Sequence, residues 1–178
     1  KPGALNYATS GVGNSNHIAG ELFRSMAGIQ LVRVNYRGAS LALTDVVSGR
    51  VELMFATANA SQPHVNAGRL IALGVTSAQP SPVAPGLPTV ATAGGAVLAG
   101  YESAATIGVL ARAGTPPAIV NLLHREIARY MRTPEARERL LKAGIEAVGN
   151  SPAEFAAIIR DDMTIKGKVI REAGIRMD

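Results

Sequence analysis

The sequence contains neither cysteine nor tryptophan. Without cysteine there is no disulfide framework, no thiolate metal site and no cysteine nucleophile. Aromatic residues make up 4% of the chain, too few for base-stacking platforms. Charged residues are only 17% against 47% apolar, which excludes a disordered chain. No run of about 18 apolar residues occurs, so direct membrane insertion is not expected. The start, Lys1-Pro2-Gly3-Ala4, has no basic segment followed by an apolar one, so no signal peptide is read there. With no initiating Met and a strand pattern almost at once, the chain reads as a fragment or a processed product.

What is present is 178 residues, a soft prior for one domain or two small lobes. The formal charge is +5 and the pI about 10.0. The basic residues do not form one stripe. Arg24, Arg33, Arg37, Arg50 and Arg69 are scattered singly. Arg125, Arg129, Arg132, Arg137 and Arg139 are interleaved with Glu126, Glu135 and Glu138, the pattern of a solvated helix face. Nucleic acid is therefore not an expected partner. An anionic small ligand is compatible with the balance.

Periodicity outlines an α/β chain. Leu5–Thr9 reads as a strand and is followed by Ser10-Gly11-Val12-Gly13-Asn14-Ser15-Asn16. Ile18, Leu22, Phe23 and Met26 then share one helical face, closed by Gly28. Ile29–Asn35 alternates as a strand, and Leu41–Ser48 is a short helix. Val51–Ala56 is a strand, Ala60–Ala67 a helix with Pro63 in its first turn, and Leu70–Thr76 a buried strand. Strands alternating with helices predict a mainly parallel sheet. Proline-rich Gln79–Ala96 reads as an extended connector. Tyr101–Ala111 and Ile145–Val148 are further strand candidates. Thr115-Pro116, Thr133-Pro134 and Ser151-Pro152 mark three helix starts, the last with the Ser-x-x-Glu spacing of a capping box.

The loop after the first strand is the main candidate for chemistry. A dinucleotide fingerprint needs a small residue where Asn16 stands, and no acidic residue closes the next strand. A phosphate loop lacks its Gly-Lys-Ser/Thr, and a hydrolase elbow its Gly-x-Ser-x-Gly. What survives is a strand–Ser-Gly-x-Gly–helix loop whose backbone N–H groups suit a carboxylate or a phosphate. Ser10, Asn14, Ser15 and Asn16 add uncharged partners. His17 reads first as a capping or supporting histidine. The three histidines have no metal-ligand spacing, so no metal, cofactor or catalytic residue is expected. In open α/β sheets the carboxyl ends of the strands line the ligand crevice. That rule brings Ser10–Asn16, Tyr36–Ala39 and Ala56–Ser61 to one edge, with Arg37 as a cationic partner for a carboxylate.

Asn6 through Phe23, with its Ser10-Gly11-Val12-Gly13-Asn14 core, resembles the middle of the Bug-type extracytoplasmic solute receptors. Val34-Asn35-Tyr36-Arg37-Gly38 is similar to that family's Val-Pro-Tyr-Lys-Gly segment. Ala42–Asp45, Val51–Phe55, Gly68–Leu73, Leu87–Val90 and Pro152–Phe155 follow in family order, over essentially the whole chain. The resemblance implies a type II periplasmic-binding-protein fold, with a parallel-sheet lobe and part of a second lobe. It implies residues 1–78 as ligand-binding lobe 2, 79–100 as a hinge connector and 101–178 as the remainder of lobe 1. It further implies a periplasmic receptor that delivers a small carboxylate to the membrane subunits of a tripartite tricarboxylate transporter. The implied ligand site is Thr9, Ser10, Gly11, Val12, Gly13, Asn14, Ser15, Asn16, His17, Tyr36, Arg37, Gly38 and Ala56. Ala56 stands where many members carry Asp, which tilts the expectation from amino acids to simple carboxylates. The family's N-terminal Pro-Phe-x-x-Gly-Gly segment is absent. Strands of the first lobe would then lack partners, and self-association is an expectation. Two other readings stand beside this one, the effector domain of a transcription regulator and an α/β enzyme using His17 as base.

Overall fold

A computed structural model describes residues 3–176. Lys1 and Pro2, which begin the stretch read as lacking a leader, lie outside the described residues. The sheet has three parallel strands in the order β2-β1-β3. β1 (Asn6–Thr9) is central, β2 spans Val32–Asn35 and β3 spans Leu53–Met54. Register runs from Asn6 opposite Val32 to Thr9 opposite Asn35 on one side, and from Tyr7 opposite Leu53 on the other.

The strands are linked by α1 (Ser15–Ala27) and α2 (Ala39–Val47), and α3 (Ala58–Asn66) follows β3. Each helix begins up to three residues earlier than periodicity placed it. Pro63 lies well inside α3 and not in its first turn, because the helix starts at Ala58 behind Thr57. One side of the sheet packs Ala8, Ala42 and Val51 beneath Val34, Tyr36, Val46 and Met54. On the other side Tyr7 lies under α1. A Cβ on Gly20 would stand 2.3 Å from the Tyr7 ring, so only glycine lets the helix come this close. Phe23 and Phe55 extend the contact, and Tyr101 joins it while donating its hydroxyl to the Ala19 carbonyl at 3.0 Å.

The connector is less extended than its prolines imply. Thr89 accepts the Thr92 N–H at 3.0 Å and caps a single turn, α4 (Val90–Ala93), before a 3₁₀ turn at Gly95–Leu98. Three helices follow, α5 (Pro117–Met131), α6 (Pro134–Lys142) and α7 (Pro152–Glu172). α5 is preceded by Pro116, so its start falls one residue past the expected Thr115 cap. The Thr115 hydroxyl instead donates to the Arg112 carbonyl. The capping box of α7 forms as the spacing predicts: Glu154 N–H to Ser151 Oγ at 3.2 Å, and Ser151 N–H to Glu154 Oε2 at 2.8 Å. α7 lies against α1.

Three predicted strands do not form as ladders. Leu70–Thr76 keeps one bridge, Val75 to Thr89, and Tyr101–Ala111 and Ile145–Val148 have no strand assignment. Their apolar pattern is that of a strand, yet a strand also needs a neighbour to exchange backbone hydrogen bonds with. Among the described residues Leu70–Thr76 finds only the bridge to Thr89 and one bond from the Ser103 N–H to the Thr76 carbonyl, not a continuous ladder. Ile71, Leu73, Ile107, Val109, Leu110 and Val148 stay two-thirds or more exposed.

Candidate functional site

The carboxyl ends of β1 and β2 are stitched together. Tyr36 N–H donates to the Thr9 carbonyl at 2.9 Å, and Gly38 N–H to the Ser10 carbonyl at 3.2 Å. The Thr9 hydroxyl donates to Asn35 Oδ1 at 2.8 Å. The convergence of Ser10–Asn16 with Tyr36–Gly38 is therefore present as direct bonds between the two loops.

Within the first loop, Ser10 is the centre of a small polar net. Its hydroxyl receives Asn16 Nδ2 at 2.9 Å and Asn14 Nδ2 at 3.1 Å. Asn16 Oδ1 in turn faces the Ser10 N–H and hydroxyl. Gly13 sits at φ +77°, a left-handed conformation that disfavours side-chain-bearing residues. Its N–H is not free for a ligand, because His17 Nδ1 accepts it at 2.9 Å.

Ser15, Asn16 and Ala56 also line a groove of about 2130 Å³, together with Thr57, Asn59 and Ala104–Arg112. Thr9–Asn14, His17 and Tyr36–Gly38 are not part of that wall. The Tyr36 hydroxyl is turned away to Asp45 Oδ2 at 2.8 Å, and Asp45 also holds Arg50 at 3.1 Å. Arg37 is exposed. The structure thus divides the predicted residues into a groove-lining group, a second group at the loop junction, and His17 beneath both.

Beneath the loop lies a charged cluster that spacing did not reveal. His17 is fully buried and Glu21 is 6% exposed. Glu21 Oε1 accepts the Tyr7 hydroxyl at 2.5 Å, and Oε2 accepts Arg24 at 2.6 Å. Burial alone would push the Glu21 carboxyl up, but the Tyr7 hydroxyl and Arg24 outweigh it and hold the group below its usual range. Burial, then the Glu21 contact, drives the Tyr7 hydroxyl strongly upward. His17 Nε2 touches the Arg33 guanidinium and lies 3.8 Å from Glu21 Oε1. Burial and then Arg33 hold the imidazole below its ordinary value, against Glu21. His17 and Glu21 are one helical turn apart, the one signal in the sequence that could have linked them.

Chemically the site offers hydroxyl, amide and backbone donors at a helix start, over a buried base whose Nδ1 is already engaged. That suits binding an anion. No group of three or more metal-ligating side chains occurs among the described residues.

Comparison with known proteins gives a consistent match. Residues 1–175 match the sequence profile of the family described as "Tripartite tricarboxylate transporter family receptor". The "UPF0065 protein in tcbD-tcbE intergenic region" of Pseudomonas sp. (strain P51) is 37% identical over 171 residues, 96% of this chain and 50% of that protein. The "UPF0065 protein in clcB-clcD intergenic region" of Pseudomonas knackmussii is 32% identical over 161 residues, 90% of this chain and 94% of that one. Among solved structures, "R. palustris Rpa4515 with adipate" superposes with a TM-score of 0.83 at 34% identity, covering 98% of this chain and 57% of that chain. "Structure of a periplasmic transporter" superposes at 0.77 with 30% identity, covering 100% and 58%. Apart from the Pseudomonas knackmussii protein, the chain spans about half the length of the curated relatives it matches.

Proposed function

The chain belongs to the tripartite tricarboxylate transporter receptor family, and from that premise we propose that it is the ligand-binding part of a periplasmic receptor for a small carboxylate. The observation that carries the reading is the polar net at the start of α1. Ser10, Asn14 and Asn16 form an uncharged hydrogen-bonding platform at a helix N-terminus, bonded directly to the Tyr36–Gly38 loop. Such a platform binds carboxylate by donors and the helix dipole and carries out no bond-making chemistry. Thr9–His17, Tyr36, Arg37, Gly38 and Ala56 are the proposed ligand-binding set, with His17 acting from below. The solved relative carrying adipate supports a linear dicarboxylate as the ligand class. Ala56 leaves no acid at that position to pair with an amine.

In this reading residues 1–78 form ligand-binding lobe 2, 79–100 the hinge connector and 101–178 the remainder of lobe 1. Loaded receptor presents its ligand to the transporter's membrane subunits after the lobes close. The open apolar runs at 70–76 and 101–111 favour self-association when nothing else covers them. Calorimetry of the intact receptor against dicarboxylates, tricarboxylates, amino acids and aromatic acids tests the function. Micromolar or tighter binding of a dicarboxylate is the expected result. Failure to bind any carboxylate refutes the proposal.

A further inference from the structure

His17 is positioned so that its charge state controls the loop above it. Its Nδ1 accepts the Gly13 N–H. A neutral imidazole has one bare nitrogen and one N–H. The Gly13 bond takes the bare nitrogen and puts the ring proton on Nε2, where it faces Glu21 Oε1 at 3.8 Å and also the Arg33 guanidinium, which can only donate and competes with Gly13 for the ring's one bare nitrogen. A second proton would stand on Nδ1, donor against donor with the Gly13 N–H. The bond that closes the loop therefore exists only while His17 is neutral.

We propose that His17 is a proton-sensitive positioning residue: neutral, it holds Gly13 and the Ser10–Asn14 loop in the ligand-ready shape; protonated, it releases the loop and weakens carboxylate binding. The affinity arm of this inference rests on the carboxylate-receptor reading; the loop arm does not.

The groups around the ring set the direction. From β1, Tyr7 holds the Glu21 carboxylate. From α1, Glu21 favours a charged ring, but Arg24 already neutralises its other oxygen. From β2, Arg33 presses its guanidinium against Nε2 and opposes a charged ring. From α7, Glu172 lines a cavity of about 260 Å³ together with Glu21 and Arg24. Burial first and Arg33 second keep the ring neutral below its ordinary 6.5, with Glu21 acting against them. The sign follows: a group whose folded pKa is depressed contributes fully above its unfolded value, and the contribution is lost as pH falls toward the folded one. The loop is thus closed at neutral pH and opens in acid, below pH 6.5.

The test uses the intact receptor, with adipate as probe. Dissociation constants are measured by calorimetry from neutral to acidic pH for wild type, His17→Asn and Arg33→Met. Asparagine offers an Oδ1 acceptor to Gly13 but does not titrate. If the protonated form does not bind, wild-type affinity falls about tenfold per pH unit below the His17 pKa. In His17→Asn, whatever its affinity at neutral pH, the acid limb should shrink to the part that protonation of adipate's own carboxylates causes. Arg33→Met should move the limb to higher pH. In parallel, ¹⁵N spectra follow the His17 ring nitrogens and the Gly13 amide without ligand, and the two should titrate together. An acid limb unchanged in His17→Asn, or a Gly13 amide that ignores the His17 titration, overturns the inference. Absence of any carboxylate binding refutes the receptor reading instead, and the Gly13 and His17 spectra still decide the loop arm.

Discussion

Replacing Tyr7 with Phe isolates the hydrogen bond that ties the central strand to α1. Tyr7 is fully buried, and its hydroxyl donates to Glu21 Oε1 at 2.5 Å. The ring keeps its edge-on contact with Phe55 and its place beneath Gly20, so the substitution removes one O–H and little else. A hydrogen bond to a charged group contributes about 1.5–3 kcal/mol, and a buried carboxylate oxygen cannot recover it from water. The expected loss is about 2 kcal/mol at neutral pH. Its pH dependence is the sharper test. The Glu21 carboxyl is held below its ordinary 4.5, because Tyr7 and Arg24 outweigh a burial effect that alone would raise it. A carboxyl with a depressed folded pKa stabilises the fold above its unfolded value, and that stabilisation disappears as pH falls through the folded one. Below pH 4.5 the Tyr7→Phe deficit should therefore shrink toward about 1 kcal/mol, the contribution of a neutral hydrogen bond. Urea unfolding of wild type and variant over this range measures both numbers. A neutral-pH loss below about 0.5 kcal/mol, or one that does not change with acid, refutes the argument.

Gly20→Ala sets a Cβ 2.3 Å from a Tyr7 ring that its Glu21 bond holds in place, and should cost about 1–3 kcal/mol by overpacking in the same urea experiment. Ser151→Ala removes the acceptor of the α7 capping box and should cost about 1 kcal/mol, with less helical signal in circular dichroism. Gly13→Val forces a β-branched residue into a left-handed conformation, at about 1–2 kcal/mol or more. It should lower carboxylate affinity at least about tenfold in calorimetry, since that strain falls on the ligand loop. Ile71 and Leu73, at 86% and 70% exposure, should drive association of this chain. Sedimentation should show an assembly that Ile71→Lys with Leu73→Lys returns to monomer, and an unchanged profile would remove these residues from the contact.

The fold was legible where the signal is local. Alternation and β-branching found β1, β2 and β3, and the cap residues Thr133 and Ser151 found α6 and α7 within a residue. It was not legible where strand identity depends on a neighbour. Leu70–Thr76 and Tyr101–Ala111 have the pattern of buried strands, but hydrogen-bond partners are a property of the assembled sheet and not of the segment. The prolines of 79–96 concealed α4 for a related reason. Thr89 caps a turn too short to show a helical period.

The candidate site divides along the same line. Its visible half, Ser10 through Asn16, is a local motif, because a glycine-rich turn between strand and helix must expose backbone donors wherever it occurs. Its hidden half is the support. Tyr7, Glu21, Arg24 and Arg33 come from three elements and meet only because β1 lies between β2 and β3 with α1 across it. Read alone, Glu21 is one of a few scattered acids and Arg33 one of several scattered bases. Once the sheet forms, they fix the charge state of the one histidine that holds Gly13. The loop sequence provides donors for an anion. Whether those donors stand ready is decided by a buried proton balance that no segment encodes by itself, and for that reason Arg33→Met, sixteen residues from His17 in sequence, is the variant expected to shift the loop's response to acid.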